Sequence, residues 1–300
     1  VRRRGRSRWR TPAYAFVLPG LIVFTMVMVY PTIQALFISL RDWGVTPGAD
    51  SPFVGLANYA KALKDPVFWR SLQNGGMYMA VTVPFQIVLG LIAALLLDAE
   101  FRGRTLFRTL IYVPVITSWV ISSLLFRYLF GGAGGPINAF LVDVTGVISE
   151  PISWLGSRWT ALFAICALGV WKGVGWAMLI FLAALQAVPV ELHEAAAVDG
   201  AGGWQRLRNV TLPSIRRTLT FVTVLSIIGG FNVFISVYLM TGGGPADQTQ
   251  VPITYLYRQA FSFLDFGYGS AISFMLTVLV FGVATAQLWL GNRTDSEGPA

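Results

Sequence analysis

Six apolar stretches, at roughly 13–40, 76–98, 106–130, 160–187, 216–240 and 268–291, make up about half of the chain. Each is long enough to cross a lipid bilayer, whose hydrocarbon core of about 30 Å takes about 20 apolar residues in helical form. Within that core every backbone N–H and C=O needs an internal partner, so only helices or a closed barrel can cross it. Barrel strands run to about 10 residues and alternate strictly; these stretches are longer and do not alternate. The sequence therefore predicts an all-α membrane protein with six transmembrane helices. Prolines at 19, 31, 84 and 114 predict kinks inside them.

Composition agrees. The 300 residues are 55% hydrophobic and 12% charged, where about 25% charged is usual for a soluble protein. The net charge of +8 could suggest nucleic acid, but six of the positive residues are Arg2, Arg3, Arg4, Arg6, Arg8 and Arg10, directly ahead of the first apolar stretch. They read as charges that orient a membrane helix, and no nucleic-acid partner is expected. The first stretch is too long for a signal peptide and lacks a small-x-small cleavage site, so a retained helix is expected.

With the N-terminus placed in the cytoplasm, the inside holds fourteen Arg and Lys: the six above with Arg102, Arg104, Arg108, Arg206, Arg208, Arg216, Arg217 and Arg293. The outside holds seven: Arg41, Lys61, Lys64, Arg70, Arg127, Arg158 and Arg258. The positive-inside rule then puts both termini in the cytoplasm. The expected organisation is a basic tail over 1–12, a transmembrane domain over 13–291 with a cytoplasmic loop at 188–215, and a tail over 292–300. The outer segment 41–75 is rich enough in Trp, Phe and Tyr to form short interfacial helices.

Several chemistries are excluded by count. Cys166 is the only cysteine and His193 the only histidine, which rules out an internal disulfide, a Cys/His zinc site and a Cys–His nucleophile. Cys166 lies in an apolar run and reads as packing. No Gly-x-x-x-x-Gly-Lys-Ser/Thr occurs, so the chain has no phosphate loop. It is expected to be no enzyme and to bind no cofactor.

The polar stretch from Glu194 to Pro213 stands out between the fourth and fifth apolar stretches. Pro189 begins the insert, and Glu191 and Glu194 lie in the first turns of a short helix, where carboxylates favour the dipole. Ala195, Ala196 and Ala197 give a nearly bare face that another protein can approach closely. Asp199-Gly200 ends the helix with a residue able to take positive φ. Glu194-Ala195-Ala196, three residues, Gly200, nine residues and Val210-Thr211-Leu212-Pro213 resemble the ATPase-docking motif of ATP-driven (ABC) importer permeases, with Val210 in place of Ile. The resemblance implies a coupling helix that seats in an ATPase subunit, with Glu194, Ala195, Ala196, Asp199, Gly200, Leu212 and Pro213 as its marks. Phe231 to Pro245, ending Thr241-Gly242-Gly243-Gly244-Pro245, is similar to the carbohydrate-importer branch of maltose-type and glycerol-3-phosphate-type permeases, as are Tyr257–Phe261 and Asp265–Ala271. Many members carry Asp where this chain has Ser236. Physically, three glycines and a proline stop a helix at Thr241.

The resemblance implies a bacterial plasma (inner) membrane location. It implies two ATPase subunits that bind ATP and Mg, a second and different permease, and an extracytoplasmic solute-binding protein or lipoprotein. A carbohydrate or polyol-like solute would move by alternating access. Trp171, Lys172, Trp176, Asn232 and Gln86 are candidates to line its path, because aromatic faces pack on sugar rings and amides bond hydroxyls. Lys172 could face a wet cavity or a partner, or snorkel to the surface; Asn232 and Gln86 could instead bridge helices. The alternatives are an ABC permease for amino acids or peptides, and an ion-coupled secondary transporter, which would need mid-span carboxylates.

Overall fold

The computed structural model describes residues 10–295 except 45, 47–49 and 133, with side chains from residue 16 onward apart from 288 and 290–295. Residues 1–9 and 296–300 of the expected tails lie outside the described residues, as do the side chains of Arg2, Arg3, Arg4, Arg6, Arg8, Arg10 and Arg293. In chain order the helices are α1 (Arg10–Phe24), α2 (Tyr30–Ser39), α3 (Ala57–Lys64), α4 (Pro66–Asp98), α5 (Arg104–Ile116), α6 (Trp119–Leu129), α7 (Pro136–Ala139) and α8 (Arg158–Gln186). They continue with α9 (Val190–Val198), α10 (Gly203–Arg206), α11 (Leu212–Ser214), α12 (Arg216–Phe231), α13 (Ile235–Met240), α14 (Pro252–Tyr257) and α15 (Phe266–Asp295). No strand occurs among the described residues.

The chain divides into two units, one holding residues up to Lys64 with Leu256–Met275, the other Asp65–Tyr255 with the residues from Leu276 on. In the first, α1 and α2 form one span joined by a π-helical stretch, Thr25–Val29. Pro31 has no N–H and crowds the turn before it, so the ladder widens there, with Tyr30 N bonding Thr25 O. α3 supplies the short helix expected in the 41–75 segment. Lys61 Nζ reaches Asp265 at 2.7 Å and stands 4.2 Å from the ring centre of Tyr268.

The second unit is built on α4 and α8. A Cβ added at Gly169 would overlap the Tyr78 hydroxyl, one at Gly173 would overlap the Gln86 amide, and one at Gly90 would stand 2.7 Å from Ala177 Cβ. Later positions on α4 therefore meet later positions on α8: the two helices run parallel, in close contact along small residues. Parallel neighbours need an odd number of crossings between them, which fixes how the intervening segment runs.

That segment is broken. α5 and α6 qualify as membrane-crossing only together and are bent by 96°. Their contacts nevertheless climb one side of the core: Arg108 bonds Leu97 O at 2.7 Å, Gly175 abuts Ile111 O, Lys172 bonds Pro114 O at 2.8 Å, and the Phe130 ring lies 6.4 Å from Phe163. The pair thus makes one crossing. The expected single helix over 106–130 is corrected to two, because the chain extends at Thr117 and Ser118 and restarts with Ser118 Oγ capping Val120 N. The crossing expected over 216–240 is likewise broken. α12 ends at Phe231, Asn232–Phe234 are non-helical, and α13 resumes. Ile215 shares an apolar cluster with Leu182 and Leu185, while Val237 and Met240 share one with Ile165, so α12 and α13 run back along α8. From 185 to 165 on α8 is about 30 Å, the thickness of a bilayer core.

α4 also begins ten residues before the expected 76. Asp65 caps it by accepting from Val67 N, Pro66 occupies the first turn, and the polar Ser71 and Asn74 are buried against protein, which a hydropathy reading cannot anticipate. α13 stops where the glycines predicted: Gly242 takes φ 61° and its N–H closes onto Val237 O at 3.0 Å.

Candidate functional site

The loop between α8 and α12 is presented outward. α9 has no buried residue, and Val198 is 89% exposed, with Val190, Leu192 and Trp204 also uncovered. Nine residues make a marginal helix on their own, so α9 depends on its ends. Its C-terminus closes in a Schellman arrangement: Gly200, at φ 79°, donates from N to Ala197 O at 3.1 Å, and Ala201 N donates to Ala196 O at 2.9 Å. Glu194, Ala195 and Asp199 are exposed and Ala196 is half-buried. Leu212 and Pro213 form α11, after which Ile215 turns the chain by 68° into α12. The arm is tied down at both ends, because Leu185 before it and Ile215 after it are buried in one apolar cluster.

Farther along α8, a cavity of about 290 Å³ opens beside both helix breaks. Its wall includes Thr82 and Gln86 from α4, Trp119 at the start of α6, Lys172 and Trp176 from α8, and Ser226 with Gly229 and Gly230 at the end of α12. Gln86 Nε2 donates to Gly169 O at 2.9 Å. Ser226 Oγ is buried without a hydrogen-bond partner, an uncommon condition for a polar atom. Lys172 is 3% exposed. Its ammonium donates to Pro114 O at 2.8 Å, Thr117 O at 2.6 Å and Thr117 Oγ1 at 3.3 Å, and stands 4.8 Å from the ring centre of Trp119.

Of the candidate path residues, the structure gathers Gln86, Lys172 and Trp176 in this wall and leaves two elsewhere. Trp171 lines a separate apolar groove of about 630 Å³ with Phe85 and Phe163, its ring 5.4 Å from Phe126. Five residues turn a helix by about 140°, so Trp171 and Trp176 cannot share a face. Asn232 is exposed and bonds Ile228 O of its own helix at 2.9 Å. Lys172 neither snorkels nor awaits a charged partner, since three acceptors surround it.

Residues 86–296 match the family model described as "Binding-protein-dependent transport system inner membrane component". The chain belongs to this family. The permease is 34% identical over 279 residues to the arabinooligosaccharides transport system permease protein AraP of Halalkalibacterium halodurans, covering 92% of this chain and 86% of AraP. It is 34% identical over 284 residues to the lactose transport system permease protein LacF of Rhizobium radiobacter, covering 93% and 94%. Its fold matches a chain in the crystal structure of a bacterial ABC transporter that imports the acidic polysaccharide alginate, with TM-score 0.83, 21% identity and coverage of 94% and 95%. It therefore has the ABC importer permease fold that the sequence implied.

Sequence reasoning missed Trp119, Thr82 and Ser226 in the permease. Thr82 and Ser226 are small polar residues within apolar runs, which gave a weak signal available only once helix faces are known. Trp119 follows the break at Thr117, which Pro114 hinted at but did not locate.

Proposed function

We infer that this permease moves a neutral carbohydrate or polyol-like solute across a bacterial inner membrane. In this reading both termini are cytoplasmic, so α9 faces the cytoplasm. There it docks on one of two partner ATPase subunits, which bind ATP and Mg. A second, different permease completes the pore, and an extracytoplasmic binding protein or lipoprotein delivers the solute. The solute preferences named for AraP and LacF support the carbohydrate class.

The observation that carries the reading is the composition of the cavity wall. Among the described residues it contains aromatic faces, an amide and an unpartnered hydroxyl, but no carboxylate. Its one cation spends its three N–H bonds on Pro114 and Thr117. Such a wall suits hydroxyls and a ring face, and offers nothing to the two charges of an amino acid. At about 290 Å³ it lies near the lower end of small-molecule pockets, about 300–1,000 Å³, which suits one sugar ring at a time. The same absence of a carboxylate disfavours ion coupling.

Mechanistically, ATP-driven closure of the ATPases would carry α9, and with it α8, relative to the rest of the bundle. Because α8 forms one wall of the cavity, its displacement would change which side the cavity opens to. The test is ATP-dependent uptake by the assembled complex in liposomes with its binding protein. Labelled monosaccharides, oligosaccharides and polyols are compared with amino acids. Uptake of amino acids alone would overturn the reading.

A further inference from the structure

The most unusual group in the second unit is the buried ammonium of Lys172. We propose that Lys172 is a positioning residue, a pin that fastens the break in the α5–α6 crossing to α8 so that α6 travels with α8 during transport. The inference rests on the reading above, in which α9 receives movement from an ATPase and passes it to α8.

The geometry is that of a side chain replacing a helical turn. A helix that ends inside a membrane leaves carbonyl groups unpaired, and lipid cannot satisfy them. Here α5 ends after Pro114, and the carbonyls of Pro114 and Thr117 turn toward α8. Lys172 bonds both, and its third proton points to Thr117 Oγ1. An ammonium has three donors, so none is left for a solute. The carbonyl end of α5 and the face of Trp119 both favour a positive charge there. Loss of the ammonium would take from the Thr117 carbonyl its donor at a 96° bend and leave the Pro114 carbonyl to the Thr117 hydroxyl, which donates to it at 2.7 Å.

The pin lies on a continuous route. α9 follows α8 after only three residues, Ala187–Pro189. α8 holds the break through Lys172, and α6 beyond the break packs on α13, with Arg127 Nη1 bonding Leu239 O at 3.2 Å. Movement of α8 would thus reach both segments that lie beyond the two helix breaks. Without the pin, α5 and α8 would still touch at Gly175 and Ile111, while α6 would keep only apolar packing on α8, such as Phe126 on Trp171 and Phe130 on Phe163, which can slide.

The test uses the whole complex in liposomes, with Cys166→Ala as background. Lys172→Met should assemble and should keep its half-saturating solute concentration, while solute moved per ATP hydrolysed falls by about tenfold. Lys172→Arg, which can still donate to carbonyls, should recover part of the ratio. In a second arm, Phe126→Cys on α6 and Trp171→Cys on α8, whose native rings are 5.4 Å apart, are joined by a short bifunctional thiol reagent. If α6 and α8 move as one, the bridge leaves uptake within about twofold of the unbridged pair and restores coupling to Lys172→Met. The proposal is overturned if the bridge abolishes uptake, if Lys172→Met leaves the ratio unchanged, or if that variant raises only the half-saturating concentration. Should Lys172→Met fail to assemble, the bridged protein with Lys172 intact decides alone. Failure of carbohydrate uptake, with coupling to some other solute still lost in Lys172→Met, would refute the solute class and leave the pin standing.

Discussion

Asn74 Oδ1 accepts a hydrogen bond from Arg158 Nε at 3.0 Å, joining the third turn of α4 to the first residue of α8. The same side chain donates to the carbonyls of Gln248 and Gln250, both at 2.8 Å, and is fully buried. One amide thus gathers two spans and the loop that follows α13.

Replacing Asn74 by Ala should be costly. Three bonds are lost and two carbonyls lose their donor, at about 1 kcal/mol for each bond and about 1–3 kcal/mol for each group left unsatisfied. Thermal denaturation of the detergent-solubilised complex should shift down clearly, with reduced membrane yield. Asn74→Asp keeps the acceptor for Arg158 but sets an oxygen about where the donor nitrogen stood, 2.8 Å from two carbonyl oxygens, so it should also be clearly destabilised. Wild-type stability in Asn74→Ala would mean that the loop is held by other contacts.

Gly200→Val addresses the docking loop. A φ of 79° is unfavourable for any side chain and worst for a β-branched one. Nothing else lies within 4 Å of the added Cβ, so the effect stays local to the end of α9. Uptake should be lost while insertion and the α4–α8 core persist, as read by transport assay beside quantification of the membrane-inserted protein. Normal uptake would refute the role given to this helix end.

What could be read ahead of the structure follows from period and punctuation. The six spans, the stop at Thr241 and the turn at Gly200 were legible because apolar length, glycine runs and Asp-Gly pairs act locally. The breaks at Thr117 and Asn232 were not, since an apolar run reads alike whether straight or bent by 96°. The placement of Lys172 shows the same limit: its acceptors lie 55 and 58 residues away in sequence. Trp171 and Trp176 are both apolar-run tryptophans in sequence, and only the helix period separates them onto two faces of α8, one on the groove and one on the cavity.

Orientation can be tested by thiol labelling from outside intact cells, in the Cys166→Ala background. Ser51→Cys and Ala246→Cys should react with a membrane-impermeant reagent, and Gln205→Cys in the α9–α12 arm should not. The reverse pattern would invert the topology and remove α9 from the ATPase side.

Energy supply gives a further check. The purified permease alone should hydrolyse no ATP, because the sequence has no phosphate loop. Hydrolysis should appear when ATPase subunits are added and rise with the loaded binding protein, as measured by phosphate release. Turnover by the isolated, contaminant-free chain would overturn the division of labour.

Ser226 offers the sharpest test of the cavity. Its Oγ is buried and unpartnered, so Ser226→Ala removes a polar atom that has no bond to lose, and assembly should be unchanged or improved. If that hydroxyl is held for a solute, the half-saturating concentration should rise by about three- to tenfold, the equivalent of one hydrogen bond near 1 kcal/mol. Trp176→Ala, which removes a ring face from the same wall, should raise it by about tenfold or more. Trp171→Ala and Asn232→Ala change residues outside the cavity and should leave half-saturation within about twofold of wild type. Measured together in one uptake series, the four variants separate the two faces of the bundle. Equal effects from all four, or an effect confined to Trp171 and Asn232, would move the solute path out of this cavity and onto the apolar groove beside Phe85 and Phe163.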